Sequence, residues 1–106
     1  EIENPQKKCF ITGKRIEDGD LSIDHVIPWS YIYSDDLWNL VFVSKSQNSS
    51  KGNRIPSEQM IEKLERRNKK LLSLLRGNNI RNSHSEELEF SIDKDLVRNF
   101  WIGCKG

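Results

Sequence analysis

Apolar positions follow one rhythm in the first part of the chain and another in the second. Leu21-Ser22-Ile23-Asp24-His25-Val26-Ile27 alternates apolar and polar as far as Val26 and stops at Pro28, the mark of a half-buried strand. Such a strand delivers Asp24 to one face and His25 to the other, or to a bulge near its end. Asn39-Leu40-Val41-Phe42-Val43 is a second strand, rich in residues that suit a sheet. Upstream, Lys8–Ile11 has the apolar content of a short strand, and Thr12-Gly13-Lys14 and Gly19-Asp20 are turn signals. Pro28 to Asp36 is a loop carrying Trp29, Tyr31 and Tyr33.

Beyond Val43 the period lengthens. Ser44 to Lys51 is polar and predicts a short helix, with Ser44 as N-cap and a stop near Gly52-Asn53. Pro56-Ser57 opens a long helix, for which Gly77 is a natural left-handed C′ residue. Its buried stripe is Met60, Ile61, Leu64, Leu71, Leu72 and Leu75, with Lys63, Arg66, Arg67, Lys69 and Lys70 facing away. Asn78 to Ser85 is a polar connector. A final helix is expected over Asp93 to Ile102, packing Leu96, Val97, Phe100 and Trp101 inward.

At 106 residues the chain has room for one domain with one modest core. Apolar residues make up 35% and charged residues 31%, the balance of a soluble globular domain. No apolar run approaches the roughly 18 residues of a membrane helix, and no signal-peptide pattern opens the chain. Glu1 in place of a Met is read as the start of a mature fragment or an excised domain. Two cysteines, Cys9 and Cys104, are too few for a disulfide scaffold. The default is a reduced, cytoplasmic protein, with one disulfide between the termini as the alternative.

The net charge of +1 conceals an asymmetry. Residues 1–49 hold five basic and eight acidic side chains, 50–81 nine and three, and 82–106 three and five. The middle segment alone suits a polyanion, although exposed helices are also basic for the sake of solubility.

Three polar features stand in order on this scaffold. Asp24-His25 ends one strand, Asn39 opens the next, and Asn48 lies in the short helix with Lys51 three residues on. A hairpin followed by a helix can set a strand-borne Asp-His pair opposite a helix-borne Asn. Phosphodiester hydrolysis needs a nucleophilic water, a charge sink on the phosphate and relief for the leaving oxygen. A neutral imidazole, whose ordinary pKa is about 6.5, can take the proton from water. A carboxylate and an amide oxygen, completed by water and phosphate, make an all-oxygen shell that suits Mg²⁺.

Asp24-His25-Val26-Ile27-Pro28-Trp29-Ser30, then Asp35-Asp36-Leu37-Trp38-Asn39-Leu40-Val41, then Asn48-Ser49-Ser50-Lys51-Gly52 resembles the HNH (ββα-metal) endonuclease family. The likeness is to the variant with Asn as third signature residue, as in the HNH domain of RNA-guided CRISPR nucleases, and it runs from about Cys9 to Ser57. The resemblance implies an α+β fold: a two-stranded hairpin plus short helix as a nuclease core over 1–57. Two additional C-terminal helices over 58–106 would then pack on that core. It implies His25 as general base, Asp24 and Asn48 as ligands of one Mg²⁺ (Mn²⁺ substituting), and Asn39 as a brace between the strands. Lys51 matches a basic position near the scissile phosphate. Lys51, Arg54, Lys63, Arg66, Arg67, Lys69 and Lys70 are the candidate DNA contacts.

The departures also matter. Relatives carry Cys-x-x-Cys pairs that bind a structural zinc, and here the positions are Cys9 and Thr12, then Ser44 and Gln47. With three of four ligands missing, no structural zinc is expected, and Phe10, Ile23, Trp38 and Val41 are left to hold the hairpin. Plainer roles fit several other residues: His84 on the surface, Asp35 and Asp36 shaping the loop, Trp29 packing under it rather than stacking on a base, and Cys104 as a partly buried thiol.

The reading is a metal-dependent DNA endonuclease, the cutting unit of a restriction or phage-defence protein. Its partners are DNA, other domains or a homodimer mate, and no membrane. The alternative is a non-catalytic nucleic-acid-binding or protein-interaction module on the same scaffold.

Overall fold

The computed structural model describes residues 7–28, 36–46 and 55–105. Among these residues, two antiparallel strands, β1 (Leu21–His25) and β2 (Leu40–Ser44), are followed by three helices, α1 (Glu58–Gly77), α2 (Ser83–Asp93) and α3 (Leu96–Lys105). The fold is therefore α+β. A single 3₁₀ turn, Leu37–Asn39, leads into β2. Lys45 and Ser46 continue from β2 in helical conformation. The remainder of the short helix expected over 44–51, and all but Pro28 and Asp36 of the expected loop, lie outside the described residues.

The strand register is continuous, from Leu21 opposite Ser44 to His25 opposite Leu40. Directly opposed residues share a face. Val41 and Val43 are buried, so their face, shared with Ser22 and Asp24, is the core side. The other face carries Leu21, Ile23, His25, Leu40 and Phe42. This corrects the expectation that Ile23 helps hold the hairpin, for it is 60% exposed. Phe10, Trp38 and Val41 are buried as that expectation required.

The expected strand at Lys8–Ile11 is instead a tight knuckle. Lys8 bridges Arg15, Cys9 N–H donates to the Lys14 carbonyl at 2.7 Å, and Gly13 N–H donates to the Cys9 carbonyl at 2.8 Å. Gly13, at φ +75, supplies the left-handed residue this reversal needs. Phe10 reaches the sheet through its backbone, donating its N–H to the Phe42 carbonyl at the outer edge of β2.

α1 begins where Ser57 Oγ accepts the Met60 N–H. It buries Ile61, Leu64, Asn68, Leu71, Leu72 and Leu75, a stripe at the three- and four-residue spacing of one helix face. Its end departs from expectation. Gly77 is the last helical residue, and the left-handed position is Asn79 at φ 57. Ile80 N–H returns to the Leu75 carbonyl at 2.8 Å and Asn79 N–H to that of Arg76 at 3.1 Å, the bond pair of a Schellman motif. Asn serves there because its short polar side chain tolerates the left-handed region.

α2 departs from the expectation of a connector over 78–85 and a next helix over 93–102. A reciprocal cap starts it: Asn82 Oδ1 accepts the Ser85 N–H at 3.0 Å, and Ser85 Oγ accepts the Asn82 N–H at 2.9 Å. α2 ends at Asp93 because Asp95 turns left-handed at φ 50, so α3 starts at Leu96. Phe100, expected inward, stacks on Trp38 with centroids 5.7 Å apart yet keeps 37% exposure.

α3 is tied back to the start of α1. Trp101 Nε1–H donates to the Pro56 carbonyl at 2.7 Å, and Arg98 pairs with Glu65 at 3.0 Å. Trp101→Phe should keep most of the packing but strand a buried carbonyl, a loss of about 1–2 kcal/mol. For a domain of this size that lowers Tm by roughly 4–8 °C per kcal/mol. A calorimetric Tm equal to that of the parent would show the bond to be dispensable.

Candidate active site

β1 delivers Asp24 and His25 at its last two positions, and no bulge interrupts the register. They therefore leave the strand on opposite faces, both half-buried. Directly after His25 the chain leaves the ladder through Val26 and Ile27, which are 1% and 0% exposed.

That exit is held by Asn39, itself 1% exposed. Its Oδ1 accepts the Ile27 N–H and its Nδ2 donates to the Ile27 carbonyl, both at 2.9 Å. Its own carbonyl accepts the Val26 N–H at 3.0 Å. One amide side chain thus satisfies both backbone groups of a buried residue that no strand partner could reach. Asn39 lies at the end of the 3₁₀ turn, fixed by its N–H to the Asp36 carbonyl. The Asp36 carboxylate in turn accepts the Trp38 indole N–H at 3.2 Å.

Of the other site candidates, Asn48, Lys51 and Arg54 lie outside the described residues. The basic face of α1 differs from expectation, because two of its five members do not face away. Lys63 donates to the Phe10 carbonyl and lies 4.9 Å from the centre of the Phe10 ring. Arg67 bonds the carbonyls of Leu37, Trp38 and Leu40. Long cationic side chains lay their stems along apolar surface, and here the carbonyls beside β2 receive their charged ends. Arg66, Lys69 and Lys70 are exposed. Arg66 and Lys70 line a groove that Ile23 and Phe42 also line, on the hairpin face that carries His25.

The pattern reading passed over Asn68. It is 1% exposed, donates to the Trp38 carbonyl at 2.9 Å and accepts from Arg67 Nε at 3.0 Å. A polar residue in step with Ile61, Leu64, Leu71 and Leu75 was the available signal, since buried amides are retained only with partners.

Cys9 is buried and Cys104 half-buried, and neither is in a disulfide. Burial raises the Cys9 pKa, but N–H donors of Thr12, Ser44 and Ile11 outweigh it, so the net shift is downward. His84, at the start of α2, is exposed and lies 3.8 Å from Glu87.

Residues 9–57, the knuckle, both strands and the Asn39 turn among them, match the HNH endonuclease family. This segment is similar to HNH endonucleases over the stretch that carries Asp24, His25 and Asn39. The chain is similar to CRISPR-associated endonuclease Cas9 1 of Streptococcus thermophilus, 34% identical over 61 residues. That alignment covers 51% of this chain and 5% of the relative, so the chain spans a small part of the curated protein it matches. Among the described residues no helix is long and apolar enough to cross a membrane.

Proposed function

We propose that the chain hydrolyses DNA phosphodiester bonds, with His25 as general base, as the cutting unit of a larger restriction or phage-defence protein. The observation that carries this is the placement of His25 and Asp24 on opposite faces at the end of a strand whose exit Asn39 clamps.

In-line displacement needs a base on the side of the entering oxygen and charge relief on the side of the leaving one. A phosphodiester lying across the end of β1 meets His25 on one side and Asp24 on the other. His25 takes the proton of the attacking water, and the Asn39 clamp on Ile27 restricts where the imidazole can point. Lys51 stands as the basic residue beside the scissile phosphate. Arg54, Arg66, Lys69 and Lys70 contribute positive charge along the strand path, and Lys63 and Arg67 contribute field from their inward positions.

Asp24 and Asn48 would hold the metal. A carboxylate oxygen and an amide oxygen are hard donors and fit Mg²⁺ or Mn²⁺. When bound, the ion supplies Lewis-acid stabilisation of phosphate charge. No structural zinc enters the proposal, since Thr12 and Ser44 stand where further cysteine ligands would be needed and are poor zinc ligands.

The test is plasmid nicking by the 106-residue chain. Cleavage with Mg²⁺ or Mn²⁺, lost in EDTA with an unchanged melting curve, is the expected result. A folded chain that binds DNA but does not nick it under any divalent ion would make it a binding module. Melting upon chelation would instead reveal a structural metal.

A further inference from the structure

The geometry points to Arg67 as a positioning residue for the reaction, acting through Asn39 rather than on phosphate. The inference rests on the reading of His25 as general base.

All three nitrogens of the guanidinium are engaged. Nη1 donates to the Leu40 carbonyl at 2.6 Å, Nη2 to the Leu37 carbonyl at 3.0 Å and the Trp38 carbonyl at 3.4 Å, and Nε to Asn68 Oδ1 at 3.0 Å. The three carbonyls belong to the residues on either side of Asn39. Two of them belong to the 3₁₀ turn that presents the Asn39 amide, and the third belongs to Leu40, which faces His25 across the ladder. Arg67 therefore fixes the turn from the α1 side, while Asn39 fixes Ile27, two residues beyond His25, from the other.

A planar fork with donors in three directions suits this cluster of carbonyls, which a lysine ammonium at the same position cannot span. The arrangement also accounts for Asn68. Its carbonyl oxygen takes the Nε–H and its amide holds the Trp38 carbonyl, which sets the plane of the guanidinium. Displacement of a catalytic group by about 1 Å is enough to slow a reaction by about 10²-fold, so a looser turn should be read in the chemical step.

The experiment uses Arg67→Lys, with Arg67→Gln beside it, in the full chain. The first measurement is native-state hydrogen exchange. The Ile27 amide should exchange at least about tenfold faster in Arg67→Lys, beyond any change at Leu64 in the core of α1, because its acceptor rides on the turn. The second is cleavage of saturating DNA in a single turnover, expected to fall by about 10–100-fold with DNA affinity and its salt dependence unchanged. In an Asn39→Ala background, Arg67→Lys should add less than about a twofold further loss, since the two residues act in one chain of contacts.

Weaker DNA binding with a flatter salt slope in Arg67→Gln, together with an intact single-turnover rate in Arg67→Lys, would overturn the proposal and make Arg67 a phosphate contact. Unchanged exchange at Ile27 would overturn it too. If the parent chain proves unable to cut DNA, the nuclease reading fails, while the exchange measurement still decides whether Arg67 holds the turn. Should Arg67→Gln not fold, Arg67→Lys, which keeps charge and length, carries both measurements.

Discussion

Replacing His25 with alanine is expected to slow DNA cleavage by about 10²–10⁴-fold while leaving the domain folded. The structural cost is small because of where His25 lies. It is the last residue of β1, half-buried, on the hairpin face opposite the core, and its backbone pairing with Leu40 survives the substitution. The buried residues that follow, Val26 and Ile27, are held by backbone bonds and by Asn39. Asp24 and Asn48 are untouched, so affinity for the metal should be retained. The loss is therefore of proton transfer, and it should show in the rate of a single turnover on saturating DNA. Loss of DNA affinity should not accompany it. Cleavage by folded His25→Ala at the parental rate would remove His25 from the mechanism. An equal fall in affinity and rate would mean instead that His25 binds substrate.

The elements that sequence made legible are those in which one face is apolar and the other polar. β1 alternates and α1 repeats Ile61, Leu64, Leu71, Leu72 and Leu75 at helical spacing behind the Ser57 cap, while β2 is legible instead as an unbroken run of sheet-favouring residues, Leu40 to Val43. α2 escaped because its period is nearly silent. Its buried residues are Ser85, Leu88 and Ser91, and its Phe90 is 56% exposed, so a single apolar residue marks the inner face. Its cap is Asn-x-x-Ser rather than the commoner Ser or Thr followed by Glu.

Ile23 was misplaced for a different reason. Alternation shows that two faces differ but not which one meets the core, and here Val41 and Val43 settle it. At the site, the order Asp24, His25, Asn39 could be read directly from the chain. The inward turn of Lys63 and Arg67 could not. Their acceptors are carbonyls of Phe10, Leu37, Trp38 and Leu40, and a main-chain carbonyl leaves no trace in residue type.

Asn39→Ala is expected to cost both stability and activity, and Asn39→Asp to separate the two bonds that Asn39 makes. Alanine leaves the N–H and the carbonyl of Ile27 without partners inside a segment that is almost wholly buried. At about 1–3 kcal/mol for each stranded group, the loss is roughly 2–6 kcal/mol, with the low end if water enters the space. Against a total of about 5–15 kcal/mol for a domain, that is a fall in Tm of about 8 °C at the least. At a temperature where the variant is still folded, cleavage should remain slow, since the exit from β1 no longer restricts His25. A Tm within a degree or two of the parent would show that Asn39 does not brace the strand.

Asn39→Asp keeps an oxygen for the Ile27 N–H but sets a second oxygen, with no proton at neutral pH, against the Ile27 carbonyl. Burial and that carbonyl both disfavour the ionised form, so the folded carboxyl pKa must rise above its ordinary value of about 3.9. The folded state then binds more protons than the unfolded chain, and stability falls as pH rises from about 4 upward. Below that pH the protonated carboxyl can donate to the carbonyl and restore the second bond. The Tm difference between Asn39→Asp and the parent should therefore shrink on acidification, while that of Asn39→Ala should not. Parallel behaviour of the two variants from pH 7 to about pH 4 would mean that the Nδ2 bond to the Ile27 carbonyl contributes nothing to the brace.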